Sequence, residues 1–159
     1  MKKIDHDGLI LCDMQGVVFE LSLSRFSCSS DIFIRRFANS SIVEIFDNRA
    51  ILDDCYTENA VLEDMKNQYG ELSYGNNKYD KEVMYWMGYL YRYFCYTYDI
   101  DMKKAYKLIP PRELAQLYFG YHTLDCSNAI ERILESKDIT FDKKDYTKLG
   151  VQILKQLRS

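Results

Sequence analysis

Lys81–Tyr98, KEVMYWMGYLYRYFCYTY, is the stretch whose reading decides the fold. Val83, Trp86, Met87, Leu90 and Phe94 recur at helical spacing and make one apolar face, while Tyr85, Tyr89, Arg92, Tyr93 and Tyr96 make another. A helix that is bulky on almost every side needs neighbours around most of its circumference, which places it at the centre of the fold. Asp80 stands where an N-cap carboxylate belongs. Gly88 in mid-helix costs roughly 1 kcal/mol relative to alanine, and its presence predicts that a neighbouring helix passes close at that point.

Working upstream, Ser73-Tyr74-Gly75-Asn76-Asn77 is a loop that splits the chain into two helical halves, 14–70 and 79–136. Thr57 caps a helix carrying Val61, Leu62, Met65 and Tyr69, and Gly70 ends it. Residues 49–56 form a linker. Before it, 14–48 read as three short helices. The first carries Met14, Val17, Val18 and Leu21, although Val17, Phe19, Leu21 and Leu23 also fit strand alternation. The second is capped by Ser29-Ser30-Asp31 and broken at Asn39-Ser40-Ser41, and the third closes at Asp47-Asn48. Residues 1–13 are expected to be an extended lead-in or a short strand.

Downstream, Asp101 caps a short helix through Leu108, and Ile109-Pro110-Pro111 stops it while pre-setting the next. Gly120 ends that one, and the connector Tyr121-His122-Thr123-Leu124-Asp125 leads to a helix capped by Asp125 or Ser127. The tail, 138–159, carries an amphipathic stripe of Tyr146, Leu149, Ile153, Leu154 and Leu157. The sum is an all-α, compact multi-helix single domain over 1–159, with a short N-terminal extended segment.

Composition narrows the function. At 159 residues the chain supports one core. With 14 Tyr, 8 Phe and one Trp against two Pro, it favours ring-rich helical packing. A net charge of −3 supplies no global field to attract phosphate backbones. Five cysteines without a C-x-x-C pair read as reduced thiols in a cytoplasm, and no apolar run is long enough for a signal peptide or membrane span.

His6 and His122 are the only histidines, and no H-E-x-x-H or phosphate-binding glycine loop occurs, so neither a metal nor a cofactor is expected. A Cys–His dyad of His122 with Cys126 or Cys95 lacks an orienting third group in the sequence. No catalytic residue is assigned. The tyrosine helix leaves three readings open: a stacking platform for single strands with Tyr91-Arg92-Tyr93 interleaved, ordinary packing, or an interface anchor.

MYWMGYLYRYFCYTYDI, then KKAYKLIPPRELAQLYFGYHTLDCSNAIERILE, together with the upstream SSDIFIRRFANSSIVEIFDN, resembles a family of small helical bacterial proteins found mainly in Firmicutes and described as uncharacterised or antitoxin-like. The resemblance covers roughly 14–136. It implies a cytoplasmic protein that neutralises a cognate toxin, one with an ADP-ribosyltransferase-like fold, by direct binding. The expected contact surface comprises Tyr91, Arg92, Tyr118, Tyr121 and His122, since rings and arginine anchor interfaces. The rival reading is a nucleic-acid-binding regulator with a helix-turn-helix-like segment at 14–48 and Arg35 and Arg36 on phosphates, and the two combine if an antitoxin also represses its own operon.

Overall fold

Helix α5 (Lys81–Tyr98) lies antiparallel against α1 (His6–Arg25), and this pair forms the axis of the molecule. Gly8 on α1 faces the Tyr96 ring, Gly16 faces Tyr85, and Gly88 on α5 faces the backbone of Gln15 and Gly16. A Cβ placed on Gly88 would stand 2.6 Å from the Gln15 carbonyl oxygen and 2.8 Å from the Phe19 ring. The glycine therefore lets two backbones approach more closely than side chains at the crossing would allow. The close passage predicted from Gly88 is present.

The computed structural model describes residues 1–53 and 56–141. Beyond Phe141 the tail stripe expected over 138–159 lies outside the described residues. Among those described the chain is all-α and compact, with no strand.

One expectation is corrected at the N-terminus. Residues 6–13 are helical, forming the start of α1, and neither extended nor a strand. Asp5 sets that start, its carboxylate accepting the Gly8 N–H at 2.8 Å. The apolar periodicity is faint because the face turned to α5 is built from small and polar residues, Gly8, Cys12, Gln15 and Gly16, all buried. In sequence those positions resemble breaks in a pattern. In the fold they are the contact.

Around this axis run α2 (Ser30–Ala38), α3 (Glu44–Asp47), a single 3-10 turn at Ala50–Leu52, and α4 (Glu58–Tyr69). After α5 come α6 (Met102–Leu108), α7 (Pro111–Gln116), α8 (Tyr118–Tyr121) and α9 (Cys126–Ser136). The caps follow the sequence reading at Ser29, Thr57, Asp101 and Asp125, whose side chains accept from Ile32, Ala60, Lys104 and Asn128 amides. Asp80 occupies the N-cap position of α5 but makes no side-chain capping bond. Asp99 closes α5 in the left-handed region at φ 54°, a position aspartate tolerates better than most side chains.

Rings fill the core between α1, α2 and α3. Phe19 meets Phe33 and Phe37 edge-on at centroid distances of 5.8 and 5.3 Å, and Phe37 meets Phe46 at 5.8 Å. Such edge-to-face pairs place positive ring edges on negative ring faces. The loop between α4 and α5 is fastened to the α1–α2 turn: Ser29 and Ser30 amides donate to the Tyr74 and Asn77 carbonyls, and Lys78 Nζ donates to the Leu23 and Phe26 carbonyls. At the far end Lys137 pairs with Glu113 at 2.8 Å, holding the end of α9 to α7.

Gly88→Ala tests the helix crossing directly. In an isolated helix the change would stabilise by roughly 1 kcal/mol, yet here the methyl meets backbone that cannot swing aside, and overpacking of this kind costs about 2 kcal/mol net. Urea denaturation should show a lowered midpoint with an unchanged slope. A raised midpoint would mean that α1 does not pass this close.

Candidate functional site

On α5, Glu82, Tyr85, Trp86 and Tyr89 fall at i, i+3, i+4 and i+7, one stripe of the helix. This stripe is half covered, because α1 lies on one side of it and α8 on the other. The three elements enclose a groove of about 380 Å³, completed by Glu20 of α1, Tyr118 of α8 and His122 just after it. That volume lies at the small end of the range for ligand pockets.

Each ring in the groove is held. Gly16 gives the Tyr85 ring room to lie on α1, and its hydroxyl donates to Asp13 Oδ1. Tyr85 and Tyr89 are 6.0 Å apart and tilted, and Trp86 stands edge-on to Tyr118 at 5.7 Å. Tyr118 stacks on His122 at 4.3 Å with planes 14° apart. His122 Nδ1 lies 2.7 Å from the Tyr118 carbonyl oxygen. A carbonyl can only accept, so Nδ1 carries the proton and a neutral ring keeps Nε2 as an acceptor. Beside the groove Phe119 is 86% exposed, its ring edge-on to Tyr118 at 5.7 Å.

Phenols and thiols shifted by burial stay in their neutral forms. Burial pushes the Tyr89 phenol up to about 12, and burial with the bond to Asp13 raises Tyr85 further, so both remain neutral hydroxyls. Burial also raises the thiols of Cys12 and Cys28, pushes Cys95 up to about 12, and, with Asp125 nearby, brings Cys126 to about 11. Thiols in that state are poor nucleophiles at neutral pH. Among the described residues no group of three or more His, Cys, Asp or Glu side chains is placed to hold a metal ion, and no helix is long and apolar enough to cross a membrane.

A larger cavity of about 490 Å³ lies between the α4–α5 loop and α7. Several of its polar groups are engaged: the Tyr79 hydroxyl donates to Asp31, Arg112 reaches Asp31 at 3.9 Å, and Lys78 is committed to backbone carbonyls. The smaller groove differs in being lined chiefly by rings.

The residues expected to form one contact surface separate into three groups. Tyr118 and His122 share the groove. Tyr121 is half-buried and packed on the core. Tyr91 and Arg92 must be removed from any surface, being 1% and 2% exposed. The Tyr91 hydroxyl donates to the Ile109 carbonyl, tying α5 to the turn before α7. Arg92 Nε donates to Gln15 Oε1 at 2.8 Å and its Nη1 to Asp47 Oδ1 at 2.7 Å, with the guanidinium over Phe46 at 5.5 Å. Buried Arg92 also removes the interleaved Tyr91-Arg92-Tyr93 stacking platform.

Arg35 and Arg36 are exposed in the last turn of α2, where Arg36 lies over the Tyr69 ring at 5.4 Å. The three short helices expected over 14–48 become the long α1, then α2 and the four-residue α3. Trp86, Tyr85, Tyr89 and Phe119 were not among the expected site residues. The i, i+3, i+4, i+7 stripe of Glu82, Tyr85, Trp86 and Tyr89 is the signal that could have found most of them.

Compared with protein-family models, curated proteins and solved structures, the chain matches none.

The division between buried and groove residues has a measurable consequence. Arg92→Ala strands the Asp47 carboxylate and the Gln15 amide and should cost about 3 kcal/mol. Arg92→Lys should recover little of it, since an ammonium cannot fork to both partners in one plane. His122→Ala should stay within about 0.5 kcal/mol. Thermal melts of the purified variants separate these outcomes.

Proposed function

We propose that this protein acts by binding a partner protein through the ring-lined groove and the adjoining Phe119. The observation that carries this reading is the continuous aromatic surface of Tyr85, Trp86, Tyr89, Tyr118, His122 and Phe119, half open on a helical frame. Rings held in place by α1 and α8 present large contact area with little rotamer entropy left to lose, which is the character of interface anchors. Glu20 and Glu82 at the groove oppose phosphate, so the same surface is ill-suited to stacking nucleic acid.

The finer reading comes from the resemblance to antitoxin-like proteins: the partner is a toxin, and occupancy of this surface blocks it. The expected partner is one with an ADP-ribosyltransferase-like fold. The rival, a DNA-binding regulator, has in its favour exposed Arg35 and Arg36 on α2, and against it the brevity of α3, a single turn too short to lie along a major groove.

The test is co-purification of the tagged protein from its native host at moderate salt, followed by expression of the recovered partner alone and together with wild type or variants. One stoichiometric protein should be recovered, its expression alone should arrest growth, and the wild-type chain should relieve the arrest. Phe119→Ala and Tyr118→Ala should each weaken partner affinity by at least about tenfold while leaving the melting curve close to wild type. Recovery of DNA or RNA in place of protein would reject the proposal.

A further inference from the structure

We infer that the groove is a receptor for an arginine side chain carried on a basic segment of the partner. This rests on the protein-binding reading above and adds the chemistry of the anchor. The lining combines aromatic rings with Glu20 and Glu82, which come from different helices, and contains no lysine or arginine. Among the described residues neither glutamate takes part in an ion pair. Two carboxylates beside stacked rings, without an internal cation, form a site complementary to a positive, planar group.

The molecule contains a filled example of the same arrangement. The Tyr96 hydroxyl donates to the Asp5 carboxylate, and the ring of Tyr96 is covered by Arg49 at 4.4 Å and Lys2 at 4.3 Å. Tyr85 repeats the first half: its hydroxyl donates to Asp13, farther along the same α1–α5 seam. At Tyr96 the cations come from the chain itself. At the groove the lining offers none, and the complement has to come from outside.

Guanidinium fits better than the other cations. Its plane stacks on a ring while its N–H groups fork to carboxylates. Here they meet Glu20, Glu82 and, on a neutral His122, the Nε2 left free by the bond from Nδ1 to the Tyr118 carbonyl. A quaternary ammonium has no N–H to offer these acceptors. A lysine ammonium is a strongly hydrated point charge that gains less from stacking. Phosphate-bearing ligands meet two carboxylates.

Trp86 is the single tryptophan of the chain, so its fluorescence reports on the groove alone. Titration with N-acetyl-arginine methylamide should give a saturable change, the lysine counterpart should bind about tenfold more weakly, and the uncharged citrulline counterpart should give none at the same concentration. Glu20→Gln and Glu82→Gln keep size and surface position, and each should weaken arginine binding about tenfold. A citrulline response equal to that of arginine, or indifference to both glutamine variants, overturns the inference. The paired variant should also weaken capture of the partner. If the partner binds it undiminished while Phe119→Ala releases it, the arginine assignment falls and the protein-binding reading stands. If blocked arginine saturates the groove in a glutamate-dependent way and no protein is captured, the guanidinium site stands and the protein-binding reading falls.

Discussion

The fold depends on one buried polar chain. Gln15 on α1 donates from Nε2 to the Gly88 carbonyl of α5 at 3.0 Å and accepts at Oε1 from Arg92. Arg92 in turn donates to Asp47 of α3, and Asp47 also accepts the Met102 amide at the start of α6. Four helices are thus joined through two side-chain contacts on either side of a fully enclosed guanidinium. The glycine and the arginine act together: without Gly88, α1 could not come near enough for Gln15 to reach both. A buried cation with one partner removed is more costly than either apolar or complete alternatives, so the arrangement rewards a single register of α1 on α5.

That register decides which rings of α5 face outward. Towards the C-terminal end, Tyr91, Phe94, Tyr96 and Tyr98 are enclosed, with Phe141 closing over Phe94 and Tyr98 edge-on. Towards the N-terminal end, α1 and the short α8 leave a gap between them, and Tyr85, Trp86 and Tyr89 line it. Hydrophobic burial by itself would have covered these rings too. They stay half open because α8 is a single turn, and because Tyr118 of α8 and His122 just after it stack on each other to wall the groove and do not fill it.

Much of this was legible in the residues. The caps at Ser29, Thr57, Asp101 and Asp125, the Pro-Pro stop before α7 and the loop around Gly75 are local chemistry, and they mark helix ends here. The start of α1 was not legible, because Gly8, Cys12, Gln15 and Gly16 interrupt the apolar residues of its buried face. The corner around His122 was legible in part: Asp125 caps α9 as its position suggested, and Tyr118 and His122 lie at the surface, whereas the α1 and α5 side chains that share their groove could not be read from the corner itself.

By itself, then, the order of amino acids determined most helix ends and that Lys81–Tyr98 would be central, since spacing and caps act within a few residues. It could not determine that Arg92 is enclosed while Trp86 lines a groove. Both lie on the same ring-rich helix, and their fates are set by Gln15 and Asp47, 77 and 45 residues from Arg92 in the chain, and by α8 beside Trp86. Periodicity reports that a helix has faces. Only the packing of distant segments assigns each face to core or to solvent, because burial is a property of neighbours that the local pattern does not contain.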